Sequence, residues 1–170
     1  MGKHTTMTRE ILIAVPQDKA WEALAQVGDI CHAHPGIKSS HLTSAQTTGI
    51  GATRHCDFTM MNATAEEKVT EWTPGERVKI EVQSLTNLPG VATMSMDFHL
   101  RSDGNATVLR AVLDYTMKNP LFDLMNVLMM KKMNASVIEG VVAGHKKYLE
   151  TGVQVVADTP LELDKVIVVA

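Results

Sequence analysis

FDLMNVLMMKKMNASVIEGVVAGHKKYLE, residues 122–150, decides the fold. Val127, Met130, Asn134, Val137, Val141 and Tyr148 recur at the three-and-four spacing of one helical face. Lys131, Lys132, Glu139, Lys146, Lys147 and Glu150 cluster on the other. The pattern predicts one long amphipathic helix, roughly Phe122–Glu150, about 40 Å long at 1.5 Å per residue. Asn119-Pro120 leads into it and Thr151-Gly152 provides a stop.

The residues before it read as short strands. Val91–Leu100 sets Met94, Met96, Phe98 and Leu100 against Thr93, Ser95, Asp97 and His99. Ala106–Met117 sets Leu109, Ala111, Leu113, Tyr115 and Met117 against Val108, Arg110, Val112, Asp114 and Thr116. Such alternation marks an antiparallel sheet with one dry face. Ile37–Thr43, Ala52–Met60, Ala65–Trp72 and Arg77–Ser84 are further strands, with Pro74-Gly75 and Asp103-Gly104-Asn105 as turns. Met7–Val15 is a first strand. A short helix follows Pro16 with Ala20, Trp21 and Leu24 on its stripe, and a second runs from Asp29 to His32. The class is α+β: a long helix must bury its stripe on the sheet, and a curved sheet gripping a helix leaves a hollow.

Composition bounds the function. With 170 residues and 45% hydrophobic content, the chain supports one domain with a real core. A net charge of -3 and a pI near 6.1 argue against nucleic acid or an anionic membrane as the main partner. The apolar runs are too interrupted for an integral membrane segment, and the first residues lack the apolar core of a secretory signal. Cys31 and Cys56 read as free thiols of a reducing, cytoplasmic compartment. Eleven methionines against 4% aromatics fit either a Met-packed core or an adaptable apolar pocket.

Several stretches carry a resemblance: Ala14-Val15-Pro16 with Ala20-Trp21 shortly after, His34-Pro35-Gly36-Ile37, Gly49-Ile50-Gly51-Ala52-Thr53-Arg54, and the helix from Phe122. In that order they resemble the START-like, or SRPBCC, superfamily of polyketide cyclases/dehydrases and lipid-transport proteins, over about Met7 to Glu150. The resemblance implies the helix-grip fold: a curved antiparallel seven-stranded sheet wrapped around a long C-terminal helix, with two short helices after the first strand. Residues 1–152 form the ligand-binding domain on this reading. Residues 153–170 are an extension, in which Val153–Val156 and Val166–Val169 suit an edge strand, a homodimer contact or disorder.

The family implies a deep cavity for a hydrophobic or amphipathic small molecule, between sheet and helix. Its pattern points Ile37, Ser39 and His41 inward, then Arg54, Cys56 and Phe58, then Glu67 and Val69. Met94, Met96, Phe98, Leu113, Tyr115 and Met117 continue the wall, and Val127, Met130, Asn134, Val137 and Val141 form the lid. Most are apolar with a few polar groups, as small-molecule sites are. Arg54 and Glu67 form either a structural ion pair or an anchor for a ligand carboxylate or enolate. Asn134, polar on a dry face, is either a water-satisfied amide or a ligand contact. Asn62–Thr64 and Ser84–Gly90 are either gates at the mouth or plain turns.

The absence of a recognisable catalytic set favours a carrier or sensor of a hydrophobic molecule. A cyclase/aromatase-type enzyme would use Arg54, His41 or Tyr115 for proton transfer and enolate stabilisation. A third option is a protein-interaction module with the tail as its contact. Cys31-His32-Ala33-His34 has metal-capable residue types, but no partner cluster stands at ligand spacing, so no metal and no cofactor are expected. Cys56 lacks an assured base and reads as a small lining residue.

Overall fold

A computed structural model describes residues 2–170. Strand β1 (His4–Ile13) is followed by helix α1 (Gln17–Leu24) and a 3-10 segment, Val27–His32. Strands β2 (Ile37–Leu42), β3 (Thr53–Phe58), β4 (Thr64–Thr73), β5 (Arg77–Thr86), β6 (Val91–Asp103) and β7 (Ala106–Met117) then run as a meander. Helices α2 (Pro120–Met125) and α3 (Lys131–Thr151) follow, and a short strand β8 (Ile167–Val169) lies near the C-terminus. The sheet order is β2-β3-β4-β5-β6-β7-β1-β8. The paired strands run antiparallel, from β2 with β3 through to β1 with β8.

Alternation in sequence becomes alternation in burial. On β7, Leu109, Ala111, Leu113, Tyr115 and Met117 are buried, sharing one core with Ile11 and Ile13 of β1 and with Val78 and Phe98 of β5 and β6. Trp21 of α1 packs edge-on against Trp72 of β4 at 4.9 Å, seating α1 on the sheet.

Two features depart from the sequence reading. The long helix runs from Pro120 to Thr151, but a π-helical turn, Asn126–Met130, joins α2 to α3 and shifts its phase. Tyr115 Oη donates to Asn126 Oδ1 at 2.8 Å, and Asn126 Nδ2 donates to Thr5 Oγ1 at 3.2 Å, so two strands pin that turn. The wider turn rotates the preceding residues out of phase. Val127 is therefore 71% exposed and not part of the lid, while Ile138, Val142 and His145 join Met130, Asn134 and Val141 on the buried face. Tyr148 is only half-buried.

The second departure is in β2. Ile37 pairs with Phe58 but Ser39 pairs with Asp57, so an extra residue bulges at Lys38. Side chains alternate strictly, so one inserted residue swaps the faces beyond it. Ser39 and His41 point outward, contrary to the sequence reading, and Ser40 and Leu42 take the inner positions. Ser40 Oγ donates to the Gly28 carbonyl at 2.6 Å and accepts from the Cys31 amide, tying the 3-10 segment to β2.

The tail takes the edge-strand alternative and supplies an eighth strand. Thr8 and Glu10 of β1 pair with Val169 and Ile167, and the Val155 amide donates to the His32 carbonyl at 2.9 Å. Among the described residues, no helix is long and apolar enough to cross a membrane.

The helix α3 meets the loop before β2 at two glycines. A Cβ at Gly144 would stand 2.2 Å from the Ala33 carbonyl oxygen, and one at Gly140 would stand 3.2 Å from the Pro35 ring. Only hydrogen at Gly144 lets the His34-bearing loop press on the helix, while Gly140 sits in tight contact with the Pro35 ring.

Candidate functional site

Between the sheet and α3 lies an open cleft of about 380 Å³. Its walls come from Phe58 of β3, Val82 and Leu85 of β5, Val91 and Met94 of β6, and Met130, Met133, Asn134 and Val137 of the helix. The His34–Gly36 loop forms one side. At its inner end the cleft runs into a chamber of about 90 Å³, where Ile30, Ile37, Arg54, Ile80, Met96, Phe98 and Leu113 join the lining. A further void of about 40 Å³ beside Arg54 and His145 continues towards α1. His34, Phe58, Glu67, Met94, Asn134 and Val137 border both the cleft and the chamber. The volume is within the range of small-molecule sites, and the lining is mostly apolar.

The polar groups are few and their chemistry is constrained. Arg54 stands directly opposite Glu67 across β3 and β4. Nε and Nη2 reach Glu67 Oε2 at 2.7 and 2.6 Å, and Nη1 donates to the Val27 carbonyl at 2.9 Å. Burial opposes the Arg54 charge, but Glu67 more than offsets this and raises the guanidinium above its ordinary value. Cys56 is buried beneath the pair with Sγ 3.7 Å from Glu67 Oε2. Burial, then the Glu67 charge, pushes its thiol up to about 12, so it is no thiolate nucleophile.

Two histidines flank this pair. The Gly36 amide donates to His34 Nδ1 at 3.0 Å, while His145 Nδ1 lies 2.8 Å from the Val141 carbonyl. The first contact puts the His34 proton on Nε2; the second requires His145 to donate from Nδ1 and leaves its Nε2 bare. Burial, helped by His145 and Arg54, pushes His34 down to about 3. Burial likewise lowers His145 to about 4. Both rings are neutral at physiological pH. Asn134 is 6% exposed, and its Nδ2 has no hydrogen-bond partner among the described residues.

The residues named from sequence divide into three groups. Ile37, Arg54, Phe58, Glu67, Met94, Met96, Phe98, Leu113, Met130, Asn134 and Val137 border the cleft or its chamber. Val69, Tyr115, Met117 and Val141 are core residues away from it, and Cys56 lies behind the ion pair. Ser39, His41 and Val127 are on the outside. His41 stacks on His55 there, at 5.3 Å, next to Glu66. Tyr115 spends its hydroxyl on Asn126. Two of the three residues proposed for proton transfer are therefore turned away from the cleft.

Sequence reasoning missed His34, Ile80, Val82, Met133 and His145. Val78, Ile80 and Val82 alternate on β5 as plainly as the residues of β6, so that signal was present. Met133 and His145 came into view only with the helix phase. At the mouth, Leu85 and Leu88 join Met60 in the lining, and Asn87 Nδ2 donates to the Asn62 carbonyl at 2.9 Å, bridging the two loops. The described residues hold no cluster of three or more metal-ligating side chains.

Known structures share this architecture. A START superfamily protein from Mycobacterium smegmatis superposes with a TM-score of 0.71 at 14% identity, covering 87% of this chain and 98% of that one. A protein from Thermus thermophilus gives 0.71 at 13% identity, over 85% of this chain and 97% of its own. Norcoclaurine synthase from Thalictrum flavum, solved with dopamine and hydroxybenzaldehyde, gives 0.67 at 16% identity over 87% of both chains. At such identities the likeness shows the fold alone. No curated protein matches by sequence. The family model described as polyketide cyclase / dehydrase and lipid transport matches residues 4–150. The chain belongs to the polyketide cyclase/dehydrase and lipid transport family.

Proposed function

We propose that the protein binds a hydrophobic or amphipathic small molecule in the cleft between sheet and α3, as a carrier or sensor. The observation that carries this reading is an apolar, Met-lined cleft of about 380 Å³ with an inner chamber, in a family that includes lipid transport. Affinity would come chiefly from excluded apolar area, at about 25 cal/mol per Å² before ordering costs. Met94, Met130 and Met133 suit the wall of such a site, because unbranched thioethers adapt to varied shapes.

Geometry weighs against a cyclase-type enzyme. His41 is outside, Tyr115 is engaged with Asn126, and the nitrogens of Arg54 are taken by Glu67 and Val27. A carrier needs none of them free. The two unpaired cysteines fit a reducing, cytoplasmic setting.

Native mass spectrometry of protein purified from its own cells, with displacement of Nile red by a lipid panel, tests the reading. A co-purified apolar molecule and saturable displacement are expected. Failure of every lipid to displace the dye, with no bound mass, would overturn it.

A further inference from the structure

We propose that the cleft selects an uncharged carbonyl, a ketone or ester on an apolar body, over a carboxylate, through the Asn134 amide and the His34 ring. This selectivity rests on the cleft being a hydrophobic-ligand site and adds the chemistry of its polar anchor.

Two hydrogen-bond donors border both the cleft and its chamber without acceptors from the chain. Asn134 Nδ2 is buried and unpartnered among the described residues. His34 is 9% exposed; because Nδ1 accepts from Gly36, its proton is on Nε2, and no acceptor takes that proton among the described residues. A buried donor left unpaired is destabilising, and a ligand oxygen that meets Asn134 Nδ2 keeps a second lone pair to offer the His34 ring.

The charges define what that oxygen belongs to. A carboxylate seeks a cation, and the one here is already paired with a carboxylate: Arg54 directs Nε and Nη2 to Glu67 and Nη1 to Val27. Glu67 Oε1 meets no donor among the described residues, and Glu67 borders the same space, so an incoming anion would meet a like charge. Both donors are neutral groups in an apolar wall, the setting in which a neutral carbonyl loses least on leaving water.

The test compares methyl octyl ketone, decane and decanoate as displacers of Nile red at neutral pH, on wild type and on Asn134→Leu. The ketone should bind roughly tenfold more tightly than decane and than decanoate, and Asn134→Leu should bring ketone and decane together. The carbonyl stretch of the ketone bound to wild type should move to lower frequency than in alkane solution, a readout that needs no variant. Decane or decanoate binding as well as the ketone, an unshifted carbonyl band, or a folded Asn134→Leu that keeps the preference would overturn the anchor while leaving the cleft reading intact. Displacement by none of the three would remove both.

Discussion

Glu67 Oε2 receives both Nε and Nη2 of Arg54, its direct cross-strand partner, so a single oxygen takes two of the cation's donors at the wall of the inner chamber. The third nitrogen group, Nη1, reaches across to Val27 and holds the 3-10 segment against the sheet. Both side chains are nearly buried, which makes the pair costly to halve.

Arg54→Met should therefore destabilise the fold by about 3–5 kcal/mol in urea unfolding, because it leaves the Glu67 carboxylate buried without its cation. Arg54→Met combined with Glu67→Leu should recover most of that loss. A double variant no more stable than the single one would show that Val27, not Glu67, is the contact that matters.

The helix phase is checked by paired substitutions. Ile138→Ala should cost about 2–5 kcal/mol, as it empties a fully buried site. Val127→Ala should stay within about 0.5 kcal/mol, since Val127 is on the surface. Comparable losses at the two positions in thermal unfolding would contradict the π-helical turn.

Gly144→Ala should destabilise by about 1–3 kcal/mol, because its Cβ meets the Ala33 backbone. Gly140→Ala faces only the Pro35 ring, and the helix preference for alanine, about 1 kcal/mol, offsets the crowding. Denaturant midpoints should rank wild type and Gly140→Ala close together, with Gly144→Ala well below.

Stability should fall as the solution is acidified below pH 6.5. His34 and His145 have folded-state values of about 3 and about 4, below the 6.5 of an unfolded histidine. Below pH 6.5 the unfolded chain takes up protons that the native state refuses, so stability is complete above that value and drains away towards pH 3–4. Each ring contributes a slope of up to about 1.4 kcal/mol per pH unit. His145→Gln should flatten the profile over this window in pH-dependent urea melts; an unchanged slope would mean the ring titrates normally.

Most of the fold was legible because it is local. The strict alternation of Met94 to Leu100 and Leu109 to Met117 and the turns at Pro74-Gly75 and Asp103-Gly104 specify a meander, and the chain order together with the long apolar stripe specifies what covers it. The misplacements arise where one residue changes a phase. Lys38 bulges and turns His41 outward; the wide turn at Asn126 rolls Val127 out. Neither event has a strong local signature, since each is fixed by distant partners such as Gly28 on Ser40 and Tyr115 on Asn126. The site was harder still. Its unpaired donors depend on who fails to meet whom, and Asn134 was recognisable only as a polar residue on a dry stripe.

The extra residue in β2 reaches beyond topology. Had the strand run without it, the His41 imidazole would have taken a place on the inner wall. Instead, His34 and His145 are locked as free bases and Cys56 as a thiol, so none of the three changes charge across the physiological pH range. For these groups the chamber is chemically deaf to proton concentration, and the polarity of its wall at these three positions stays constant over that span.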